Sequence, residues 1–260
     1  MGFETLKLES DGRVAKLTLN RPEKRNAITA QMIDELQAAL DEVENSPALV
    51  TILTGAGKAF CAGMDLAALQ ALSTNSGDDN LADSRRMAGI FRRLWAFSKP
   101  LVAAVNGAAV AGGCAFATLC DFTLAVPEAT FGYTEVRIGF MPAIVSVFLR
   151  RQVGEKVIRD LLLTGRIVTA EEGLRLGLVT EIVPAERLLA RAEELAGSLL
   201  ANSPTSLLRT KALLRRYETA AVDLELEMAI TENAGSRTTE DFREGLAAFL
   251  EKRKPRWTGR

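Results

Sequence analysis

An α/β core followed by an all-helical segment is what the 260-residue sequence predicts, and three observations carry it. Up to about residue 183, β-branched or alternating stretches take turns with stretches in which apolar residues recur every three or four positions. From Pro184 onward only the helical period is found. Within the first part, Leu101–Cys120 (LVAAVNGAAVAGGCAFATLC) carries no charge in a chain that is 25% charged. That run divides into a buried strand, a turn and a glycine-initiated helix. The boundaries expected are therefore 1–183 for the α/β core and 184–260 for the helical part.

The elements follow in order. VAKLTLN (14–20) alternates in polarity and reads as a strand. After the turn-rich RPEKRNAI, Met32, Ile33, Leu36, Leu40 and Val43 recur at helical spacing, with Thr29 as N-cap of a helix over 29–44. LVTILT (49–54) is a β-branched strand, and the loop GAGKAFCAG leads from it to a short helix over 64–72. STNSGDDNLAD (73–83) is polar and contains glycine, and is expected to be a mobile surface loop. A helix over 83–97 carries Met87, Ile90, Phe91 and Leu94 on one face, with Arg85, Arg86, Arg92 and Arg93 on a solvated one. Strands are expected at 101–105, 122–126 and 178–183. Helices are expected over 184–201, 203–217, 220–235 and 239–252. No internal repeat stands out.

The charge-free run is long enough to cross a bilayer, but its composition argues against that. Seven of its twenty residues are Ala, and Asn106-Gly107 and Gly112-Gly113 interrupt it. Small residues instead let backbone approach something closely. A net charge of −1 gives no electrostatic case for nucleic acid. Three cysteines without CxxC spacing (Cys61, Cys114, Cys120) fit neither zinc nor a disulfide framework. Together with an N-terminus lacking leader and myristoylation patterns, they suit a reducing, cytoplasmic setting. Histidine is absent, which excludes Ser-His-Asp and Cys-His catalysis and imidazole metal sites. Proton transfer near neutral pH falls to a carboxylate, lysine, tyrosine, cysteine or water.

Nucleotide-loop motifs fail on inspection. GAGKAF has Phe60 where GxGxxG needs Gly; a P-loop would need Gly at Ile52 and Ser/Thr at Ala59. What remains is a construction used twice, LVTILTGAGKAFCAGMDL and LVAAVNGAAVAGGCAF, in which a buried strand enters a small-residue loop and then a helix. Free N–H groups gather at helix N-termini, and two such termini converging would hold a developing oxyanion without a charged side chain. Two ordinary glycine turns would look the same in sequence.

Three stretches resemble one family. CAGMDL (Cys61–Leu66) resembles the C/S-A-G-x-D-L/I loop of the crotonase, or enoyl-CoA hydratase/isomerase, superfamily. NGAAVAGGCAFATLCDF resembles its second loop, N-G-x-A-x-G-G-G-x-E-L-x-x-x-C-D, and FGYTEVRIGFMP its third signature, F-x-x-P-E-x-x-x-G-x-x-P. LLLTGRIVTAEEGLRLGLVTEIVP and EGLAAFLEKRKPRW extend the likeness over nearly the whole chain.

The resemblance implies a ββα spiral core and a helical C-terminal part that caps the site and oligomerises, as a trimer or dimer of trimers. It implies an acyl-CoA substrate, no separate cofactor and no metal. It also implies that the backbone N–H groups of Met64 and Gly112 hold a thioester carbonyl while Glu135 transfers the proton. Ala62, Gly63, Asp65, Leu66, Gly113, Ala115 and Tyr133 would surround the substrate, although Asp65 reads more simply as a helix-dipole residue. Lys24 and Arg25 would meet the CoA phosphates, and Phe249 and Lys252 the CoA of a neighbouring subunit.

One position departs from the pattern. Hydratases of this family usually carry a second glutamate on the helix of the second loop, and Ala115 stands there. A well-placed acid–base group contributes about 10²–10⁴-fold, so the change bears on the reaction. Three readings follow: hydration of a 2-enoyl-CoA, as in bacterial hydratases with a small residue there; Δ3-Δ2 isomerisation by the single Glu135; or acyl-CoA binding without turnover.

Overall fold

The computed structural model describes residues 2–260 and opens on a hairpin. Strands β1 (Leu6–Asp11) and β2 (Val14–Leu19) pair antiparallel across a turn with Gly12 at φ 60°. Helix α1 (Ala30–Glu44) follows, with Thr29 as N-cap accepting from the Met32 N–H at 3.1 Å.

From there the chain winds as a spiral. Each turn contributes one strand to a large sheet, one to a small sheet, and then helix. The first turn is β3 (Val50–Gly55), β4 (Ala59–Cys61), α2 (Leu66–Leu72) and α3 (Gly77–Ala96). The second is β5 (Leu101–Val105), β6 (Ala108–Val110) and α4 (Gly112–Thr118). The third is β7 (Phe122–Ala125), β8 (Thr130–Gly132), a 3-10 turn over Glu135–Ile138, α5 (Ala143–Leu149) and α6 (Glu155–Thr164). Then β9 (Val168–Thr169), α7 (Ala170–Leu176) and β10 (Glu181–Ile182) close the sheets before α8 (Leu188–Leu200), α9 (Pro204–Ser236) and α10 (Glu240–Leu250).

The large sheet runs β1-β2-β3-β5-β7-β10, parallel except for the hairpin, and β3 and β5 are buried throughout. Burial on both faces explains why these two strands read as continuous apolar runs. The small sheet runs β4-β6-β8-β9. Residues of α8 and α9, among them Leu188, Ala192, Val222 and Leu226, enter the same apolar core as the strands.

Several expectations are corrected. The spiral is an internal structural repeat that the sequence does not display, because β4, β6 and β8 have only three residues each, too few for a period. Most of 73–83 is the start of α3 rather than a loop: Ser76 caps it, accepting from the Asp79 N–H at 3.1 Å. The strand expected over 178–183 shrinks to Glu181–Ile182. The helices expected at 203–217 and 220–235 are one 33-residue helix, α9, since nothing in YETAAV breaks it.

Candidate active site

Strands β4, β6 and β8 lie side by side and parallel, Cys61 opposite Ala109 and Val110 opposite Gly132. Their C-terminal ends therefore share one edge of the small sheet. Each runs directly into a different part of the site: β4 into Ala62-Gly63-Met64, β6 into Ala111-Gly112, and β8 into Tyr133-Thr134-Glu135. At the other ends of these strands, Asn106 ties the turn before β6 to the turn before β4. Its side chain donates to Gly57 O at 2.9 Å and accepts from the Gly55 N–H at 3.2 Å.

The first loop is held from outside by a segment with two successive left-handed residues, Arg25 and Asn26 (φ 51° and 55°). Ile28 donates to Gly63 O at 2.7 Å and accepts from the Asp65 N–H at 2.8 Å. In such a bridge the residue between the two contacts turns its own N–H to the other side. The Met64 N–H accordingly has no acceptor among the described residues. Gly63 sits at φ 87° with Val110 O only 3.0 Å from where a Cβ would be, so the backbones of the two loops touch here.

The second loop presents the start of α4. Gly112 is the first helical residue, so its N–H belongs to the group that a helix leaves without internal partners. Ala111 before it is held at φ 49°, ψ −125°, costly for a residue with a Cβ, and anchored by its N–H to Gly132 O at 2.7 Å. A Cβ on Gly113 would overlap the Cys61 carbonyl, which fixes how closely α4 meets β4.

Glu135 begins the 3-10 turn after β8. It is 7% exposed, and its Oε2 has no hydrogen-bond partner among the described residues. Burial pushes its carboxyl up to about 7, opposed only by a hydrogen bond from its own backbone N–H. The turn is clamped from behind by α10. A Cβ on Gly245 would overlap Ile138, and one on Gly139 (φ 69°) would overlap the backbone of Asp241.

Met64, Gly112 and Glu135 line one cavity of about 660 Å³. Lys24, Arg25, Ala62, Asp65, Leu66 and Phe249 line it too, and of these Lys24, Arg25, Leu66 and Phe249 are exposed. Gly63 and Gly113 do not line it; they set the spacing of the loops. Lys252 is exposed but outside it. Two further residues fall in the core. Ala115 is 2% exposed in the second turn of α4. The Tyr133 hydroxyl is 2.9 Å from Thr118 Oγ1, and burial pushes its phenol well above the usual range, so it stands as no substitute acid.

Asp65 caps α2, accepting from the Ala67 N–H at 3.0 Å, and pairs with Arg21 at 3.0 Å. Burial raises its carboxyl, but these partners outweigh that and hold it below the ordinary value. All three thiols are buried and raised by burial, to about 12 for Cys61 and Cys114. Glu135 is thus the one cavity carboxyl left buried and unpaired among the described residues.

The sequence reading missed the far wall of this cavity, where Asn233 and Arg237 of α9 and its C-cap meet α3. A signal was present: Asn80, Ser84, Met87 and Phe91 continue one buried helical stripe in which the first two positions are polar.

A spiral of sheets brings two backbone N–H groups and a buried carboxyl to one strand edge, an arrangement suited to an enzyme that stabilises a developing oxyanion. The enoyl-CoA hydratase/isomerase family profile matches residues 9–260. The chain is 46% identical over 247 residues to a Thermus thermophilus protein provisionally named an enoyl-CoA hydratase, covering 95% of this chain and 98% of that one. It is 36% identical over 262 residues to the short-chain-enoyl-CoA hydratase of Clostridium acetobutylicum, covering 98% and 97%. Among solved structures, an enoyl-CoA hydratase/isomerase from Xanthobacter autotrophicus Py2 superposes with a TM-score of 0.89 at 32% identity, covering 99% of this chain and all of that one. The chain belongs to the enoyl-CoA hydratase/isomerase family, and it is an enoyl-CoA hydratase-like enzyme.

Among the described residues no helix is long and apolar enough to cross a membrane, and no group of His, Cys, Asp and Glu is placed to hold a metal ion.

Proposed function

We propose that this enzyme adds water reversibly across the double bond of a 2-enoyl-CoA, and that Glu135 handles both proton transfers. The observation that carries the reading is the delivery of Met64, Gly112 and Glu135 into one cavity by three adjacent strand ends. The thioester oxygen accepts from the Met64 and Gly112 N–H groups. The Glu135 carboxylate takes a proton from water as the water oxygen bonds to C3. The C2–C3 π pair moves toward C1 and the thioester oxygen becomes the oxyanion of an enolate. As the carbonyl re-forms, Glu135 returns its proton to C2. A carboxyl near 7 suits both directions of transfer at neutral pH. Each oxyanion donor contributes about 3 kcal/mol.

Lys24 and Arg25, exposed at the rim, take the CoA phosphates, and Phe249 packs beside them. Lys252 reaches the CoA of a neighbouring copy. In support of a trimer or dimer of trimers, α9 leaves Leu214, Tyr217, Leu224 and Met228 more than half exposed. Light scattering on the purified chain tests this: a single-chain mass ends it.

Isomerisation is the second reading, favoured by Ala115, because moving a double bond between C3 and C2 needs one carboxylate and no activated water. The hydratase names of the relatives weigh against it. A binder without turnover would have no use for a buried carboxyl with an unpaired oxygen. The test is incubation of wild type and Glu135→Gln with a 2-enoyl-CoA and, separately, a 3-enoyl-CoA in heavy water, read by mass spectrometry. Glu135-dependent gain of one water is expected from the 2-enoyl substrate. Bond migration without water would make it an isomerase, and no change in either would leave binding.

A further inference from the structure

The cavity ends on a buried cation. Arg237 is 2% exposed, and its guanidinium carbon lies 5.4 Å from the centre of the Phe140 ring. Its Nη1 faces Asp83 Oδ2 at 2.8 Å and Asn80 O at 3.3 Å, and its Nη2 donates to Asn233 Oδ1 at 3.0 Å. Ser84 Oγ donates to that same Asn233 oxygen at 2.9 Å, and the Asn233 amide nitrogen donates to Met141 O at 3.2 Å. The Arg237 Nε–H is buried with no acceptor among the described residues. A donor on a buried cation left unpaired is costly to keep.

Helix α3 measures how far this group lies from the reacting carbonyl. Phe91 Cζ is 3.5 Å from where a Cβ on Gly112 would be, so Phe91 marks the oxyanion end. Met87, one turn earlier, lines the cavity, and Ser84 and Asp83 in the preceding turn touch the Asn233–Arg237 pair. Phe91 to Ser84 is roughly 10 Å of helix at 1.5 Å per residue. A short acyl chain spans that interval. A chain ending in methyl would seal the unpaired Nε–H against hydrocarbon. One ending in carboxylate would meet the Arg237 side chain, which lines the cavity and keeps an unpartnered Nε–H, a donor suited to a carboxylate. Asp83 occupies the Nη1 side with its Oδ2, an oxygen that is itself buried, and leaves the Nε side of the guanidinium unpaired among the described residues.

We propose that the acyl pocket is built for a short 2-enoyl-CoA whose chain ends in a carboxylate, received by Arg237 with Asn233 holding the guanidinium in place. This rests on the hydratase reading of the same site and narrows its substrate class.

The experiment compares kcat/KM for hex-2-enedioyl-CoA and hex-2-enoyl-CoA, which differ only at the far end. Wild type is expected to favour the diacid at least about tenfold, as a site built around a polar group does over an analogue lacking it. In Arg237→Met that ratio falls to about one or below, and in Arg237→Lys part of it returns. Preference of wild type for the methyl-ended substrate overturns the proposal without any variant. So does an equal loss on both substrates in Arg237→Met, which would make Arg237 a tie between α3 and α9.

Titration calorimetry with the saturated hexanedioyl-CoA and hexanoyl-CoA separates the two readings. Tighter binding of the diacid with neither enoyl substrate hydrated supports the pocket and sinks hydration. Hydration of both substrates at equal rate, with equal binding of the analogues, sinks the pocket and keeps hydration.

Discussion

The two ends of the cavity present their donors by different means, which on the proposed reading is how each recognises its part of the ligand. At the carbonyl end the donors are backbone, Met64 and Gly112, placed by strand register and a helix start. At the far end the donors are side chains, Arg237 and Asn233, placed by packing of α9 against α3. Backbone donors cost no side-chain entropy and carry no net charge, so they can sit in an apolar wall and strengthen only as charge develops on the substrate. A buried guanidinium is desolvated before any ligand arrives and must be paired on all sides to be cheap. On the proposed reading the first arrangement serves a transition state and the second serves discrimination.

The sharpest way to break the carbonyl end is to remove the group that works against it. Glu135→Gln is expected to lower kcat/KM by about 10²–10⁴-fold, measured by loss of enoyl absorbance. Next comes Met64→Pro, which deletes one N–H that bonds nothing in the protein. The expected loss is about 10²–10³-fold in kcat, and because the Met64 side chain also packs against both apolar clusters it is read against Met64→Ala. Met64→Ala keeps that N–H and should cost less than about tenfold, and a larger loss would mean that the side chain, not the backbone, does the work there.

The pH dependence sharpens the same contrast, since the carboxyl is the titrating member of the site and the N–H groups do not titrate. Hydration starts from ionised Glu135, so kcat/KM should rise about tenfold per pH unit up to about 7 and then level off. Stability runs the opposite way. The folded carboxyl, near 7, lies above the ordinary glutamate value of 4.5. The native state then holds the proton more tightly, and its contribution is complete below 4.5 and lost as pH rises to 7. Glu135→Gln should therefore melt higher than wild type at pH 8, with the advantage gone at pH 4. The smallest shift expected is this one, a few degrees in Tm.

The same contrast explains what could be read from the sequence. The carbonyl end was legible because small residues, a turn and a helix start must follow one another in the chain for backbone N–H groups to converge: CAGMDL and NGAAVAGG show that order directly. Glu135 was legible from its resemblance to a signature, while nothing local distinguished it from a surface carboxylate. The far end was not legible. Arg237 and Asp83 are distant in sequence, and the turn that joins them forms only when 73–83 becomes helix. Tyr133 shows the limit from the other side: it stands two residues from Glu135, yet its hydroxyl turns away to Thr118. The spiral was legible only through the family resemblance, because a three-residue strand has no period to detect.

The glycine clamp between α10 and the Glu135 turn has a consequence for the making of the protein. The strands that position Met64, Gly112 and Glu135 leave the ribosome early, but the turn at Ile138-Gly139 gains its backing only when Asp241 and Gly245 have been synthesised. A nascent chain can carry the spiral long before its carboxyl is held in place. The backing of the Glu135 turn therefore comes from a part of the chain made about a hundred residues after the turn itself.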